Sequence, residues 1–84
     1  MKVEVLHSIV QDESVIKFFT LKDYYRALKF FQQNDLSWVP LKYSSSLDTA
    51  SVRVTEDVLN RFTKRFGVGK NAINNTNGWS SGVR

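Results

Sequence analysis

Apolar and polar residues alternate along two segments of the chain, which is the pattern of a strand with one buried face. Val3 and Val5 share one face of the first segment. Two further segments are rich in β-branched and aromatic residues, a composition that also favours strands. One of them contains Pro40, which has no backbone N–H, so we expect that strand to lie at a sheet edge or to contain a bulge. The four predicted strands cover residues 2–10, 15–19, 36–43 and 50–54.

In two other segments the apolar residues recur every three or four positions, as on an amphipathic helix. These predicted helices cover residues 21–33 and 56–66. Each follows a threonine, Thr20 or Thr55, whose hydroxyl can accept a hydrogen bond from the first helical turn. Gly67 follows the second helix and suits the left-handed conformation that often ends one.

The predicted elements give the order ββαββα and the α+β fold class. We expect a small antiparallel sheet built from two hairpins, with both helices packed on one face. The chain has 84 residues and a mass of 9.7 kDa, which fits a single domain. We place this domain at residues 1–67 and interpret residues 68–84 as a flexible, basic tail rich in Asn and Gly.

The two predicted helices also indicate an internal duplication. The segments 20–31 and 55–66 share Thr, Arg, Lys and Phe at identical offsets. A doubled strand–strand–helix unit would explain this agreement. The alternative is that any capped amphipathic helix favours such residues at these offsets, so the duplication is a hypothesis.

Charge is distributed unevenly along the chain. The net charge is +4, yet residues 1–57 contain seven basic and eight acidic side chains, whereas residues 58–84 contain five basic and no acidic ones. A near-neutral body with a basic end favours a polyanionic partner. The alternative interpretation is a solubilising tail.

Cationic side chains spaced three residues apart are neighbours on a helix, so each predicted helix carries a small basic spot. We therefore predict a non-enzymatic protein that binds nucleic acid through a basic patch on the second helix and the tail, which Arg26 and Lys29 of the first helix extend. The ligand is either RNA, which is favoured, or shape-tolerant DNA. In this interpretation the cations contact phosphates and Trp79 stacks on a base. The predicted nucleic-acid-binding residues are Arg26, Lys29, Arg61, Lys64, Arg65, Lys70, Trp79 and Arg84.

Several kinds of chemistry find no support in the sequence. There is no cysteine and the only histidine is His7, so we expect neither a metal nor another cofactor. The segment 67–70 has glycines and a lysine, but it lacks the spacing of a phosphate-binding loop and follows a helix instead of preceding one. No apolar run is long enough to span a membrane, and no secretory signal is evident, so we expect a cytoplasmic location without membrane contact.

Two alternatives to nucleic-acid binding remain open. The first is a small regulator that binds an acidic protein partner, such as an inhibitor, an antitoxin-like neutraliser or a phage accessory protein that acts on a host enzyme. The second is a metal-independent ribonuclease that uses His7 together with Lys, Arg and Tyr side chains. A homodimer is also plausible for so small a core, formed through the sheet edge or through the aromatic residues Tyr24, Tyr25, Phe30 and Trp38.

Overall fold

The computed structural model describes residues 1–8 and 12–68, and its elements follow the order ββαββα. This confirms the predicted α+β fold, and both helices have the predicted bounds. The first strand ends at His7, and residues 9 and 10 of its predicted range lie outside the described part of the chain. The strands are β1 (Val3–His7), β2 (Glu13–Phe18), β3 (Val39–Ser44) and β4 (Thr49–Thr55); the helices are α1 (Leu21–Gln33) and α2 (Glu56–Phe66).

The four strands form one antiparallel sheet in the order β1-β2-β4-β3. The central pair β2 and β4 comes from different halves of the chain, with Ile16 opposite Val52. If the first ββα unit is exchanged with the second, the order becomes β3-β4-β2-β1, which is the same sheet read from its other edge. The arrangement therefore has the symmetry that the hypothesised doubled unit would produce.

Pro40 lies on the edge strand β3, and the register of β3 against β4 shifts between Pro40 and Lys42. The expected edge position and bulge are both present, because Pro40 cannot donate to the ladder. The strand begins at Val39 instead of at residue 36. Leu36 takes part in the end of α1, where its N–H donates to the Phe31 carbonyl at 2.8 Å.

The helix ends are built from local side-chain and backbone chemistry. Thr20 Oγ1 accepts from the Asp23 N–H at 3.2 Å, as predicted for the cap of α1, and Thr55 caps α2 in the same way. Asp35 has φ 56° and follows α1 in the left-handed conformation of a Schellman motif. Gly67 has φ 68° after α2, as the sequence predicts.

Both helices pack on the same face of the sheet. The ring of Phe62 in α2 is fully buried and contacts Phe18 of β2 and Phe31 of α1, with centroid separations of 5.9 and 6.1 Å. Val68, which follows the predicted domain, is also buried in this core. The rest of the predicted tail lies outside the described residues. The opposite face of the sheet is uncovered by any described element.

The aromatic residues suggested as a dimer surface mostly belong to the core. Tyr24 is buried, and Phe30 and Trp38 pack against the core from its margin. Tyr25 is the exposed member of the group.

Within the described residues, no helix is long and apolar enough to cross a membrane.

Candidate nucleic-acid interface

A groove of about 470 Å³ lies between the outer surfaces of α1 and α2. Cations and amides form its polar lining, and two phenylalanine rings form its apolar part. Three of the predicted nucleic-acid-binding residues meet here, although they come from different helices. The lining residues are Arg26, Lys29, Phe30, Gln33, Asn34, Arg65 and Phe66.

The packing of the two helices brings these residues together. Phe31 and Phe62 are the buried contact between the helices, and Phe66 lies one turn beyond Phe62. The Phe66 ring packs edge-on against Phe30 with a centroid separation of 5.5 Å. Both rings are half-buried, so they seal the core and also expose an apolar surface to the groove.

Two guanidinium groups approach the Phe66 ring. The Cζ atoms of Arg26 and Arg65 lie 5.7 and 5.0 Å from its centroid, which is within the range of a cation–π contact. Arg26 also donates to Asp23 Oδ1 at 3.3 Å, but an exposed pair of this kind contributes little and leaves the cation available. Lys29 and Arg65 form no ion pair with any described residue.

The helix dipole explains only part of this arrangement. Arg65 is in the last turn of α2, where the negative end of the dipole favours a cation. The last turn of α1 contains no basic residue, and its cations Lys22, Arg26 and Lys29 occur earlier.

The other predicted residues that the structure describes do not line the groove. Arg61 and Lys64 are exposed on α2, and neither lines the groove in the described part of the chain. Arg61 pairs with Asp57 at 3.2 Å, one turn earlier on the same helix. Lys70, Trp79 and Arg84 lie outside the described residues, so their predicted roles stay predictions.

Sequence reasoning missed the amides of Gln33 and Asn34 at the end of α1. It also treated Phe66 as ordinary core. The available signal was Phe30, which falls off the main apolar stripe of α1 and follows Lys29 directly. An aromatic residue at such a position indicates either a wider buried stripe or a contact surface, and Phe30 contributes to both.

His7 lies at the end of β1, away from this groove. Its Nδ1 is 3.0 Å from Ser14 Oγ and 3.8 Å from Glu56 Oε1. In a catalytic triad, the serine hydroxyl and the carboxylate contact different nitrogens of the histidine ring. Here Ser14 and Glu56 both face Nδ1 of His7. Ser14 is also only 1% exposed, so its hydroxyl is closed to a substrate. The described residues contain no group of three potential metal ligands.

Three tyrosines cluster where α1 meets the edge strand β3. The hydroxyls of Tyr25 and Tyr43 are hydrogen-bonded at 2.9 Å, and both side chains are exposed. The hydrogen bond to Tyr25 and partial burial raise the pKa of Tyr43, and burial together with the nearby Tyr25 raises the pKa of Tyr24.

Comparison of the chain with protein-family models, with curated protein sequences and with solved structures gave no match. The fold is therefore established by the structure, and any function has to be inferred from the chemistry of the surface.

Proposed function

We propose that this protein binds nucleic acid, with single-stranded RNA as the favoured ligand, in the groove between α1 and α2. The observation that carries the proposal is the meeting of Arg26, Lys29 and Arg65 in one groove, where both guanidinium groups lie against the half-buried Phe66 ring. Cations beside an aromatic surface are the combination that single-stranded nucleic acids require, since the backbone is charged and the bases are flat and apolar.

Each part of the groove has a chemical role in this proposal. Lys29 and the two guanidinium groups contact phosphates, which releases counterions and supplies most of the affinity. A base stacks on a guanidinium plane or on the exposed part of Phe66. The amides of Gln33 and Asn34 can donate to and accept from a base edge, although Asn34 Nδ2 already donates to the Phe30 carbonyl at 2.9 Å.

The shape of the surface argues against sequence-specific reading of a duplex. A helix with its side chains is about 10–12 Å across, and the major groove of B-DNA is about 12 Å wide. The cations of the groove come from two helices packed side by side, and such a pair is too broad to enter together. Contacts to phosphates and to unstacked bases remain, which favours RNA or shape-tolerant DNA.

Arg61 and Lys64 are exposed on the same helix as Arg65 and would extend the phosphate contacts beyond the groove. The predicted contacts of Lys70 and Arg84 and the stacking of Trp79 belong to the same proposal.

A pair of charge-matched triple variants tests the proposal. The groove variant is R26Q/K29Q/R65Q, and the control variant is K17Q/K22Q/K42Q; each lowers the net charge from +4 to +1. Binding of a labelled single-stranded RNA is measured by fluorescence anisotropy over a range of salt concentrations. Losing three phosphate contacts should reduce the slope of log K against log salt by about 2, because each contact to a single strand contributes about 0.7. The control should keep most of the slope.

Equal losses in the two variants would show that only net charge matters and would contradict the groove. Absence of binding by the unmodified protein even at low salt would contradict nucleic-acid binding altogether. In that case the alternative function, docking of an acidic protein on the same cations, becomes the hypothesis to pursue.

A further inference from the structure

The face of the sheet opposite the helices, which no described element covers, carries exposed apolar side chains among charged ones. Leu6, Val39 and Leu41 are between 39% and 49% exposed, and Leu47 in the turn between β3 and β4 is 72% exposed. Leu6, Leu41 and Leu47 line one shallow concavity of about 860 Å³. Apolar residues grouped in this way mark an interaction surface.

The register of the strands places charges of opposite sign at the two edges of this face. Glu4 on β1 pairs with Lys17 on β2, which is opposite Ser51 on β4, which is opposite Lys42 on β3. One row across the sheet therefore begins with a carboxylate and ends with an ammonium group. The neighbouring row runs from Leu6 at the β1 edge through Val15 and Arg53 to Val39 at the β3 edge. Arg53 pairs with Glu13 of the same chain at 3.8 Å.

The two edges of this face are complementary to each other. A half-turn about an axis parallel to the strands lays the β1 edge of one copy over the β3 edge of another. Glu4 then faces the Lys42 side chain of the second copy, twice per pair, and Leu6 faces Val39. Isologous contacts of this kind are the commonest in soluble oligomers, and aligned sheets pack readily face to face. We propose that the open face of the sheet is the interface of a homodimer.

The same half-turn places Leu47, in the turn between β3 and β4 of one copy, over the start of β1 and the end of β2 in the other copy. That end of the face contains Phe19, whose ring lies near the ammonium groups of Lys2 and Lys17. The most exposed apolar side chain of the described residues would thus become covered in the dimer. The interhelical grooves would lie on the two outer surfaces, so the dimer is independent of the proposed nucleic-acid binding.

The interface is small. Four strands about 4.8 Å apart span about 19 Å, and strands of five to seven residues are about 20 Å long. Such a face has an area of about 400 Å² per copy, or about 800 Å² for the pair, which is below the range of about 1,200–2,000 Å² of stable interfaces. We therefore expect a weak dimer in rapid exchange. Its molar mass should be followed by sedimentation equilibrium from about 5 to 500 μM, a range that covers the affinities of weak complexes.

Charge reversal provides the decisive experiment. We expect E4K and K42E each to weaken the dimer by about ten-fold or more, since each turns two attractive contacts into repulsive ones. The double variant E4K/K42E should regain the dimer. Mixing the two single variants should also give a heterodimer, because both contacts are then attractive. The control K22E changes a lysine of α1 and should leave the dimer unchanged.

Contacts within one chain cannot produce this rescue. E4K puts a second ammonium group beside Lys17, but residue 42 is three strands away, at about 14 Å. A protein that stays monomeric over the whole concentration range would overturn the proposal. So would a dimer that neither single variant weakens, or one that the double variant and the mixture fail to restore. Circular dichroism checks that each variant is folded.

Discussion

Replacing Phe66 by leucine removes the ring that joins the two helices at the groove while it keeps most of the apolar volume. The ring contacts Phe30 and Phe62, with centroid separations of 5.5 and 5.2 Å, and two guanidinium groups lie against it. For half-buried rings, the aromatic contacts contribute about 0.5 kcal/mol each beyond area burial. Each exposed cation–π contact adds about 0.5 kcal/mol. We therefore expect F66L to lower the free energy of unfolding by about 2 kcal/mol.

Phe30 provides a matched control. Its ring is also half-buried and also contacts two rings, those of Phe31 and Phe66, but no described cation lies over it. F30L should therefore cost about 1 kcal/mol, the aromatic part alone. Urea denaturation followed by circular dichroism measures both values.

RNA binding separates the two variants further. F66L keeps all the cations of the groove, so its affinity for single-stranded RNA should fall without a change in the salt dependence of binding. The affinity of F30L for single-stranded RNA should be closer to that of the unmodified protein. Equal losses of stability and affinity in the two variants would refute the role given to the cations around Phe66.

The helix ends and the tyrosine cluster give three more predictions. T20A and T55A should each lower the free energy of unfolding by about 1 kcal/mol in urea denaturation, whereas T20S and T55S should be close to neutral, because only the hydroxyl caps the helix. G67A should cost about 1 kcal/mol and G67N less, since Gly67 has φ 68° and asparagine tolerates that conformation; equal costs would contradict this reason. The raised pKa of Tyr43 means that the folded state holds the phenolic proton more tightly than the unfolded state, whose pKa is 10.0. The stability from this group is therefore present below pH 10 and is lost as the pH rises through the folded value, so Y43F should show a smaller fall in melting temperature between about pH 9 and 11 than the unmodified protein.

Local chemistry explains which parts of the fold could be predicted from the sequence. The helices are bounded by Thr20, Thr55 and Gly67, and these residues act on their own neighbours, so the predicted limits hold in the structure. The edge position of Pro40 was predictable because it follows from the missing N–H. The start of β3 was not predictable in this way, because the backbone N–H of Leu36 donates a hydrogen bond to the Phe31 carbonyl of α1.

Non-local packing explains what the sequence did not reveal. The pairing of β2 with β4 joins strands about 36 residues apart, and their alternation alone does not specify a partner. The groove likewise depends on how Phe66 packs against Phe30 across two helices. The cations could be identified from the sequence, but helical spacing pairs Arg61 with Lys64, whereas the structure places Arg65 beside Arg26 and Lys29.

The most direct test of nucleic-acid binding in the groove leaves the protein unmodified. A single-stranded RNA is titrated into isotope-labelled protein, and the amide chemical shifts are followed by two-dimensional NMR. The proposal predicts that, within residues 1–8 and 12–68, the largest changes occur in residues 26–34 of α1 and its end and at Arg65 and Phe66 of α2. Changes confined to the open face of the sheet, around Lys17 and Lys42, or no changes at all, would contradict it.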